Sequence, residues 1–213
     1  MLKASEIYLL NEALDGEEIY GIDKSEALKN NLNSSIKAIE SLRNKKIVNE
    51  DNTINELSNL IIKNLDKFKK AKSYLWINDI LISIDDTNYM IFFRKDIESE
   101  EFEFKKIGNF QLIYSILKEY SFLGRPNKTV SDERETISVE EFIDKHLANK
   151  NENEILILRK EENSRIKYTS YYVTFILENE KVYKYDAIKG ELCEINPQKA
   201  RIEISKLLGL EVK

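Results

Sequence analysis

Two groups of carboxylates are the first candidates for chemistry in this sequence. The first group, Asp15, Glu17 and Glu18, follows the first apolar helical segment. The second group, Asp85 and Asp86, lies in a turn-rich break. Acid–base catalysis by paired carboxylates requires one raised pKa, and therefore a partly apolar pocket. The second group is predicted at a hairpin tip, and the first lies just beyond a helix end, the pole that disfavours negative charge. We therefore expect both groups to be solvated and not catalytic.

The single histidine and the single cysteine are the remaining candidates for catalysis or metal binding. His146 is predicted on a short helix beside Phe142 and Ile143, and no second histidine or cysteine stands at a metal-ligand spacing. Cys193 falls in a predicted strand, where a lone cysteine is typically a small core residue. The sequence contains no phosphate-binding loop, dinucleotide-binding glycine motif or nucleophile elbow. These observations predict a non-enzymatic protein without a metal or cofactor.

The composition indicates a folded domain. Among 213 residues there are two prolines and six glycines, while Leu, Ile, Tyr and Phe are plentiful. The net charge of −5 argues against nucleic acid as a partner, because nucleic-acid binders carry a basic face. The lone cysteine excludes an intramolecular disulfide, and no apolar run is long enough for a signal peptide or a membrane span. We expect a soluble cytoplasmic protein.

The first half of the sequence begins with helix signals and continues with strand signals. Ser5 is expected to cap a helix over 5–14 that ends at Gly16, and Asp23 and Thr53 open two further helices as capping boxes. The helix after Asp23 carries an apolar stripe of Leu28, Leu32, Ile36, Ile39 and Leu42. Beyond these helices the pattern predicts a strand over 73–84, a turn, a second strand over 89–95 and a third over 101–107. A helix capped by Asn109 follows, with an apolar face of Phe110, Ile113, Ile116, Leu117 and Tyr120.

The second half repeats this order after a polar segment. Residues 124–136 contain one of the two prolines and are polar throughout, which marks an internal boundary. Ser138 and Glu141 open a short capped helix, and Asn196–Pro197 starts a last helix that Gly209 ends. Between these two helices the alternation predicts strands over 154–160, 165–177, 181–188 and 190–195.

The order of helix, antiparallel strands and closing helix thus occurs twice, at 53–123 and at 138–209. This repetition predicts an α+β protein with antiparallel sheets, flanking helices and two lobes related by a pseudo-two-fold axis. We expect an N-terminal helical and α+β lobe at 1–123, a connecting segment at 124–137 and a C-terminal α+β lobe at 138–213.

Tyrosines on the strands of the second lobe are candidates for contact with a partner. Strict alternation places Tyr168 and Tyr172 on one face of the strand 165–177, and Tyr183 and Tyr185 share a face nearby. The four side chains either belong to a core that helices cover on both sides, or they leave one face partly open to another protein. Tyrosine supplies a large contact area and is enriched at interfaces.

The order of features in the first half resembles a known family. The features are a leading "LLNEAL" helix, an apolar segment after an acidic turn, the long segment "ALKNNLNSSIKAIESLRNKKIV", then "INELSNLIIKNL" and a hairpin with a tryptophan. This order is similar to that of the EspG-type cytosolic chaperones of type VII secretion, and of Firmicutes proteins encoded with such systems. The most recognisable part of the pattern consists of Ala38, Ser41, Leu42, Lys46 and Ile47.

The resemblance implies an α+β protein with two quasi-equivalent lobes whose function is binding. Such a chaperone grips the apolar tip of a helical secretion substrate in the cytosol, keeps it soluble and releases it at the secretion machinery. The implied partner is therefore a secreted helical protein of the same locus, and not a membrane, a nucleic acid or a small molecule.

Two other functions stay open as alternatives. An immunity protein that blocks a toxin would suit the acidic run at 96–103, which complements a basic nuclease. A winged-helix DNA binder would suit the order helix, helix, hairpin over 25–93. Its backbone contacts would come from Lys45, Lys46, Lys63, Lys67, Lys69, Lys70 and Lys72.

Overall fold

The computed structural model describes residues 1–27, 31–84, 89–95, 101–127, 130, 133–148, 151, 154–164 and 166–210. The chain divides into two units. Unit 1 consists of Met1–Ala71, Asp79–Ser83 and Ile91–Lys106, and unit 2 consists of Lys72–Asn78, Ile84–Met90 and Ile107–Lys213. The predicted lobes at 1–123 and 138–213 have other boundaries, because part of the first half of the sequence belongs to unit 2.

The helices of the described residues begin near the N-terminus and recur between the strands. They are α1 (Ala4–Asn11), α2 (Lys24–Ala27), α3 (Asn31–Asn44), α4 (Asn59–Lys69), α5 (Asn109–Glu119), α6 (Val139–Phe142) and α7 (Pro197–Leu207). Short 3₁₀ turns at Glu56–Ser58 and Ser121–Gly124 flank α4 and α5, and a π-helical turn at Ile143–Leu147 extends α6. None of the helices in these ranges combines the length and apolarity that crossing a membrane requires.

The strands pair in antiparallel fashion within each unit. They are β1 (Leu2–Lys3), β2 (Ser73–Ile77), β3 (Ile80–Ile84), β4 (Tyr89–Lys95), β5 (Glu101–Gly108), β6 (Arg134–Thr136), β7 (Ile155–Glu162), β8 (Tyr168–Glu178), β9 (Lys181–Asp186) and β10 (Glu191–Glu194). The strand order is β1-β5-β4-β3 in unit 1 and β2-β7-β8-β9-β10-β6 in unit 2. The predicted α+β fold with antiparallel sheets is therefore confirmed.

The first helix starts slightly earlier than predicted. Ser5 is not its cap, because the Glu6 carboxylate accepts the backbone N–H of Lys3 at 2.7 Å and the helix begins at Ala4. The turn that follows α1 contains Gly16 with a φ of +66°, as the sequence predicts.

Of the other two helices predicted in unit 1, one starts later than predicted and one starts where it was predicted. Thr53 does not cap α4, because its hydroxyl and its backbone N–H both donate to Asp51, at 2.6 and 3.0 Å. The helix predicted after Asp23 begins at Lys24, and the Asp23 carboxylate accepts the backbone N–H of Ser25 at 2.7 Å, so this start is confirmed. Its described parts are α2 and α3; Leu28 lies outside the described residues, as does the side chain of Leu32. Within the rest of the predicted stripe, Leu42 is fully buried and Ile36 is half exposed.

The segment 73–84 contains two strands and not one. The chain turns at Asn78, whose φ of 51° lies in the left-handed region that asparagine tolerates better than most residues. β2 ends before this turn and pairs with β7, from Ser73 opposite Glu162 to Ile77 opposite Leu158. This pairing explains why residues 72–78 belong to unit 2.

Unit 2 carries helices on both faces of its sheet. On one face Tyr185 and Leu192 pack against Phe142 of α6. On the other face Glu203 of α7 accepts a hydrogen bond from the hydroxyl of Tyr171 at 2.8 Å, and it pairs with Lys184. The polar boundary predicted at 124–137 contains the strand β6, which pairs with β10, so this segment is partly structural.

Two of the three helix caps predicted in unit 2 agree with the structure, and the cap predicted at Asn109 does not: Gly108 occupies the N-cap position of α5 without a capping side chain, and Asn109 is the first residue of the helix. The Ser138 hydroxyl accepts the backbone N–H of Glu141 at 3.1 Å at the start of α6. The Asn196 side chain accepts the backbone N–H of Gln198 at 2.9 Å, and Pro197 is the first residue of α7.

A partly buried ion pair joins three segments of unit 1. The Lys45 ammonium lies 2.8 Å from the Glu6 carboxylate, 3.0 Å from Glu101 and 3.0 Å from the Met1 carbonyl oxygen. Only 1% of the Glu6 side chain is exposed. Burial by itself would raise the pKa of Glu6, but hydrogen bonds from Lys45, Ser41 and the Lys3 backbone outweigh it and hold the pKa below its usual value.

The variant Lys45→Met tests this ion pair. Removing the ammonium leaves a buried carboxylate uncompensated, so we expect the free energy of unfolding at pH 7 to fall by about 3 kcal/mol in urea denaturation. Lys37→Met, on the exposed side of α3, removes the same charge and is expected to change the stability by no more than about 0.5 kcal/mol.

The difference in the free energy of unfolding between Lys45→Met and the natural chain should depend on pH. The folded-state pKa of Glu6 lies below its unfolded value, so the stabilisation is complete above about pH 5 and is lost as the pH falls through the lowered pKa. The stability gap is therefore expected to narrow as the pH falls from about 5 through the lowered pKa of Glu6. A gap that is constant over this range would contradict the proposed role of Glu6.

Candidate protein-docking surface

Two of the four candidate tyrosines lie beneath α6. Only 2% of Tyr185 is exposed, its ring stacks on Phe142 with 4.1 Å between centroids, and its hydroxyl donates to the Ile137 carbonyl at 3.3 Å. Burial raises the pKa of Tyr185. Tyr183 is half-buried against the same cluster. Tyr185 is therefore a core residue of unit 2, and Tyr183 belongs to the edge of that core.

The other two candidates do not share a face of β8. The pairing of β7 with β8 shifts by one residue between Lys160 and Glu161, so that Tyr171 lies opposite Lys160 but Thr169 lies opposite Glu161. Such a bulge reverses the alternation of side chains beyond it. Tyr168 consequently shares the face of Tyr171 and not that of Tyr172, which corrects the prediction from strict alternation.

Tyr172 extends an aromatic and cationic band across three strands. It lies opposite Arg159 on β7, which in turn lies opposite Trp76 on β2. The Arg159 guanidinium is 5.5 Å from the centroid of the Trp76 ring, within the range of a cation–π interaction. The Nε atom of Arg159 also lies 2.9 Å from the Glu161 carboxylate. The band ties the strands together, and its three residue types are those enriched in interfaces.

Among the described side chains of unit 2, the most exposed aromatic surface lies on α5. Phe110 is 80% exposed and Tyr114 is 68% exposed, and the two residues stand four positions apart on one face of the helix. Ile113 and Leu117 are half-buried beside them. We call these four residues the α5 stripe. The predicted apolar face of this helix was only partly right, because Leu112, Ile116 and Tyr120 are the side chains that enter the core.

Hydrogen bonds at both ends hold α5 in place. At its start the side-chain amide of Asn109 donates to the carbonyl of Leu208, after α7, at 3.0 Å. At its end the Tyr120 hydroxyl accepts a hydrogen bond from the Asn78 amide at 2.6 Å. The side chain of Asn78 also donates to the Ile155 carbonyl at 3.1 Å and accepts the backbone N–H of Ile157 at 2.7 Å. The α5 stripe is therefore presented by a helix whose position the sheet fixes.

The residues first considered for chemistry have structural partners. The Asp15 carboxylate pairs with Lys69, which also donates to the Asn11 side chain at 2.7 Å. The hydrogen bonds from Lys69 and from the backbone of Glu17 hold the pKa of Asp15 below its usual value. Glu17 and Glu18 are exposed, and Asp85 and Asp86 lie outside the described residues. Asp15 is thus a half-exposed ion-pair partner, where the sequence predicted a fully solvated turn.

His146 and Cys193 are also accounted for by their surroundings. The Nδ1 atom of His146 lies 2.9 Å from the Glu178 carboxylate, and its ring packs beside Phe142 with 5.6 Å between centroids. Cys193 is half-buried on β10, and burial raises the pKa of its thiol. Among the described residues, no three histidine, cysteine, aspartate or glutamate side chains are grouped so that they could hold a metal ion.

The α5 stripe was missed because sequence spacing alone does not orient a helix. Apolar residues cover much of the circumference of α5, so the periodicity identifies the helix but does not say which residues face the sheet. One signal was available in the sequence: α5 has more apolar residues than one buried face can hold, and Phe110 and Tyr114 are the ones left exposed.

Substitution of single tyrosines tests these placements. Tyr185→Ala is expected to lower the free energy of unfolding by about 3–5 kcal/mol, because it empties a packed core position. Tyr168→Ala is expected to change it by no more than about 0.5 kcal/mol, since this side chain is 57% exposed. Urea denaturation of both variants measures the difference, and equal destabilisation would contradict the placement.

Asn78 allows a second test, which separates its backbone from its side chain. Asn78→Ala loses the side-chain hydrogen bonds and strains the left-handed turn, so we expect about 3 kcal/mol of destabilisation. Asn78→Gly loses the same hydrogen bonds but relieves the backbone, and should recover about 1 kcal/mol of that loss. Equal stability of the natural chain and Asn78→Gly would show that the side chain contributes nothing.

Comparison with known proteins places the chain in a family. No curated protein matches the sequence. A family profile described as a domain of unknown function, DUF5081, matches residues 1–203, which include the α5 stripe and nearly all of both units. The chain therefore belongs to the DUF5081 family.

Proposed function

We propose that this chain is a non-enzymatic adaptor or chaperone that binds a helical protein in the cytosol through the α5 stripe. The observation that carries the proposal is the exposure of Phe110 and Tyr114 on one face of a helix that hydrogen bonds fix at both ends. Exposed apolar patches that polar residues surround mark interaction sites on soluble proteins. The resemblance of the sequence to type VII secretion chaperones supports a secreted helical protein as the partner.

The shape of the stripe suits a helical partner. Phe110 and Tyr114 form a ridge at a spacing of four residues, and Ile113 and Leu117 border it. Ridges at this spacing pack into the grooves between side chains of another helix. Aromatic anchors contribute most of the binding energy in such contacts, so these two residues are expected to dominate the affinity.

The described residues favour docking over the two alternative functions. Of the lysines that a winged-helix protein would use, Lys45, Lys69 and Lys70 form ion pairs with carboxylates. In the described part of the acidic run, Glu101 and Glu103 pair with Lys45 and Lys105. These charges are already compensated within the chain, which weakens the electrostatic argument for a DNA or a basic toxin partner.

Co-expression tests the proposed function. The chain is produced together with the small helical proteins encoded beside its gene, and complexes are separated by size-exclusion chromatography. We expect one of these proteins to co-elute with the natural chain. The double variant Phe110→Ser/Tyr114→Ser should lose the complex, since truncating two anchors at about 2 kcal/mol each weakens binding by about 1,000-fold.

A matched control uses two exposed apolar residues of unit 2 that lie outside α5. Ile166→Ser/Ile188→Ser removes a comparable amount of exposed apolar surface and should leave the complex intact. Urea denaturation should show that both double variants are folded. Failure of every neighbouring protein to co-elute, or an unchanged complex with the α5 double variant, would contradict the proposal.

A further inference from the structure

The spacing of the residues in the α5 stripe is the same in both directions along the helix. Its members Phe110, Ile113, Tyr114 and Leu117 are separated by three, one and three positions. If a second α5 lies antiparallel across the first, Phe110 faces Leu117 of the second copy and Tyr114 faces Ile113 of that copy. Each large aromatic side chain thereby meets a smaller aliphatic one, as interdigitating packing requires.

The charges of α5 also suit this arrangement. The helix carries only Lys118 and Glu119 as charged residues, both at its C-terminal end, while Gln111 and Ser115 beside the stripe are neutral. Antiparallel pairing places the two lysines at opposite ends of the contact, whereas parallel pairing brings them together. It also sets Lys118 within reach of the Phe110 ring of the second copy, where a cation–π contact favours the pairing. The dipoles of the two helices oppose each other favourably.

We infer that, in the absence of a client protein, two copies of this chain pair through α5 in antiparallel orientation about a two-fold axis. The axis passes between Ile113 and Tyr114, so both copies use the same surface. The pairing covers the aromatic side chains that would otherwise remain in water. It does not rest on the proposed function, but it uses the same surface, so that a helical client and the second copy exclude each other.

The extent of the stripe predicts a weak dimer. Two aromatic side chains per copy, each contributing on the order of 150–200 Å², bury roughly 600–800 Å² in total. Stable dimers of ordinary proteins bury at least about 1,200 Å². The dimer is therefore expected to form only at high protein concentration and to exchange rapidly, which leaves the stripe available to a tighter client.

Light scattering coupled to size-exclusion chromatography, and sedimentation equilibrium, measure the pairing on the purified chain alone. We expect the apparent mass to rise from 25.0 kDa towards twice that value as the protein concentration increases to about 1 mM. Phe110→Ser/Tyr114→Ser should stay at the monomer mass throughout, and Ile166→Ser/Ile188→Ser should dimerise like the natural chain. A natural chain that stays monomeric, or an α5 double variant that still dimerises, would overturn the inference.

Cysteine cross-linking tests the antiparallel register. In a Cys193→Ser background, chains with Phe110→Cys are mixed with chains with Leu117→Cys and oxidised. The antiparallel pair brings these two positions together, so a mixed disulfide dimer is expected. Positions 110 of the two copies then lie about 10 Å apart along the helix axis, too far for a disulfide. Self-cross-linking of the Phe110→Cys chain would indicate parallel pairing and would overturn the proposed register.

The two proposals can fail separately. A monomeric chain that still binds a neighbouring helical protein would overturn only the self-pairing. A chain that dimerises through α5 but binds none of these proteins would overturn only the proposed function.

Discussion

The arrangement of unit 2 depends on one asparagine at a turn. Asn78 adopts a left-handed backbone conformation, and its side-chain amide contacts β7 at Ile155 and Ile157 and the end of α5 at Tyr120. An amide group can donate and accept at the same time, so a single side chain satisfies backbone groups and orients a helix. The turn ends β2 where it must pair with β7, and it fixes α5 relative to the same strands.

The consequence of this constraint appears on the opposite side of α5. Because Leu112, Ile116 and Tyr120 are directed into the core, Phe110 and Tyr114 are left in water. A helix tethered by Asn109 at one end and by Asn78 at the other cannot rotate to bury them. The exposed stripe thus lies on a helix that hydrogen bonds anchor at both ends, and a pre-organised surface loses little conformational entropy on binding.

In the sheet of unit 2, a single extra residue in one strand changes which side chains share a face. Tyr168 and Tyr172 are separated by an even number of positions and would share a face in a regular strand. The bulge between them separates the two side chains onto opposite faces. Tyr172 lies on the same face of the sheet as Arg159 and Trp76. Tyr185 also lies on this face, but there α6 covers it. Whether a strand tyrosine is core or surface is therefore decided by its neighbours on other elements.

The amino-acid sequence by itself determined the α+β class and the antiparallel strands, together with helix caps at Ser138 and Asn196. These features follow from local spacing and capping chemistry, which act over a few residues. Only the tertiary structure decided that residues 72–78 belong with unit 2, that Lys69 neutralises Asp15, and which side of α5 faces the core. Such outcomes depend on contacts between segments far apart in the chain, whose energies no local pattern encodes.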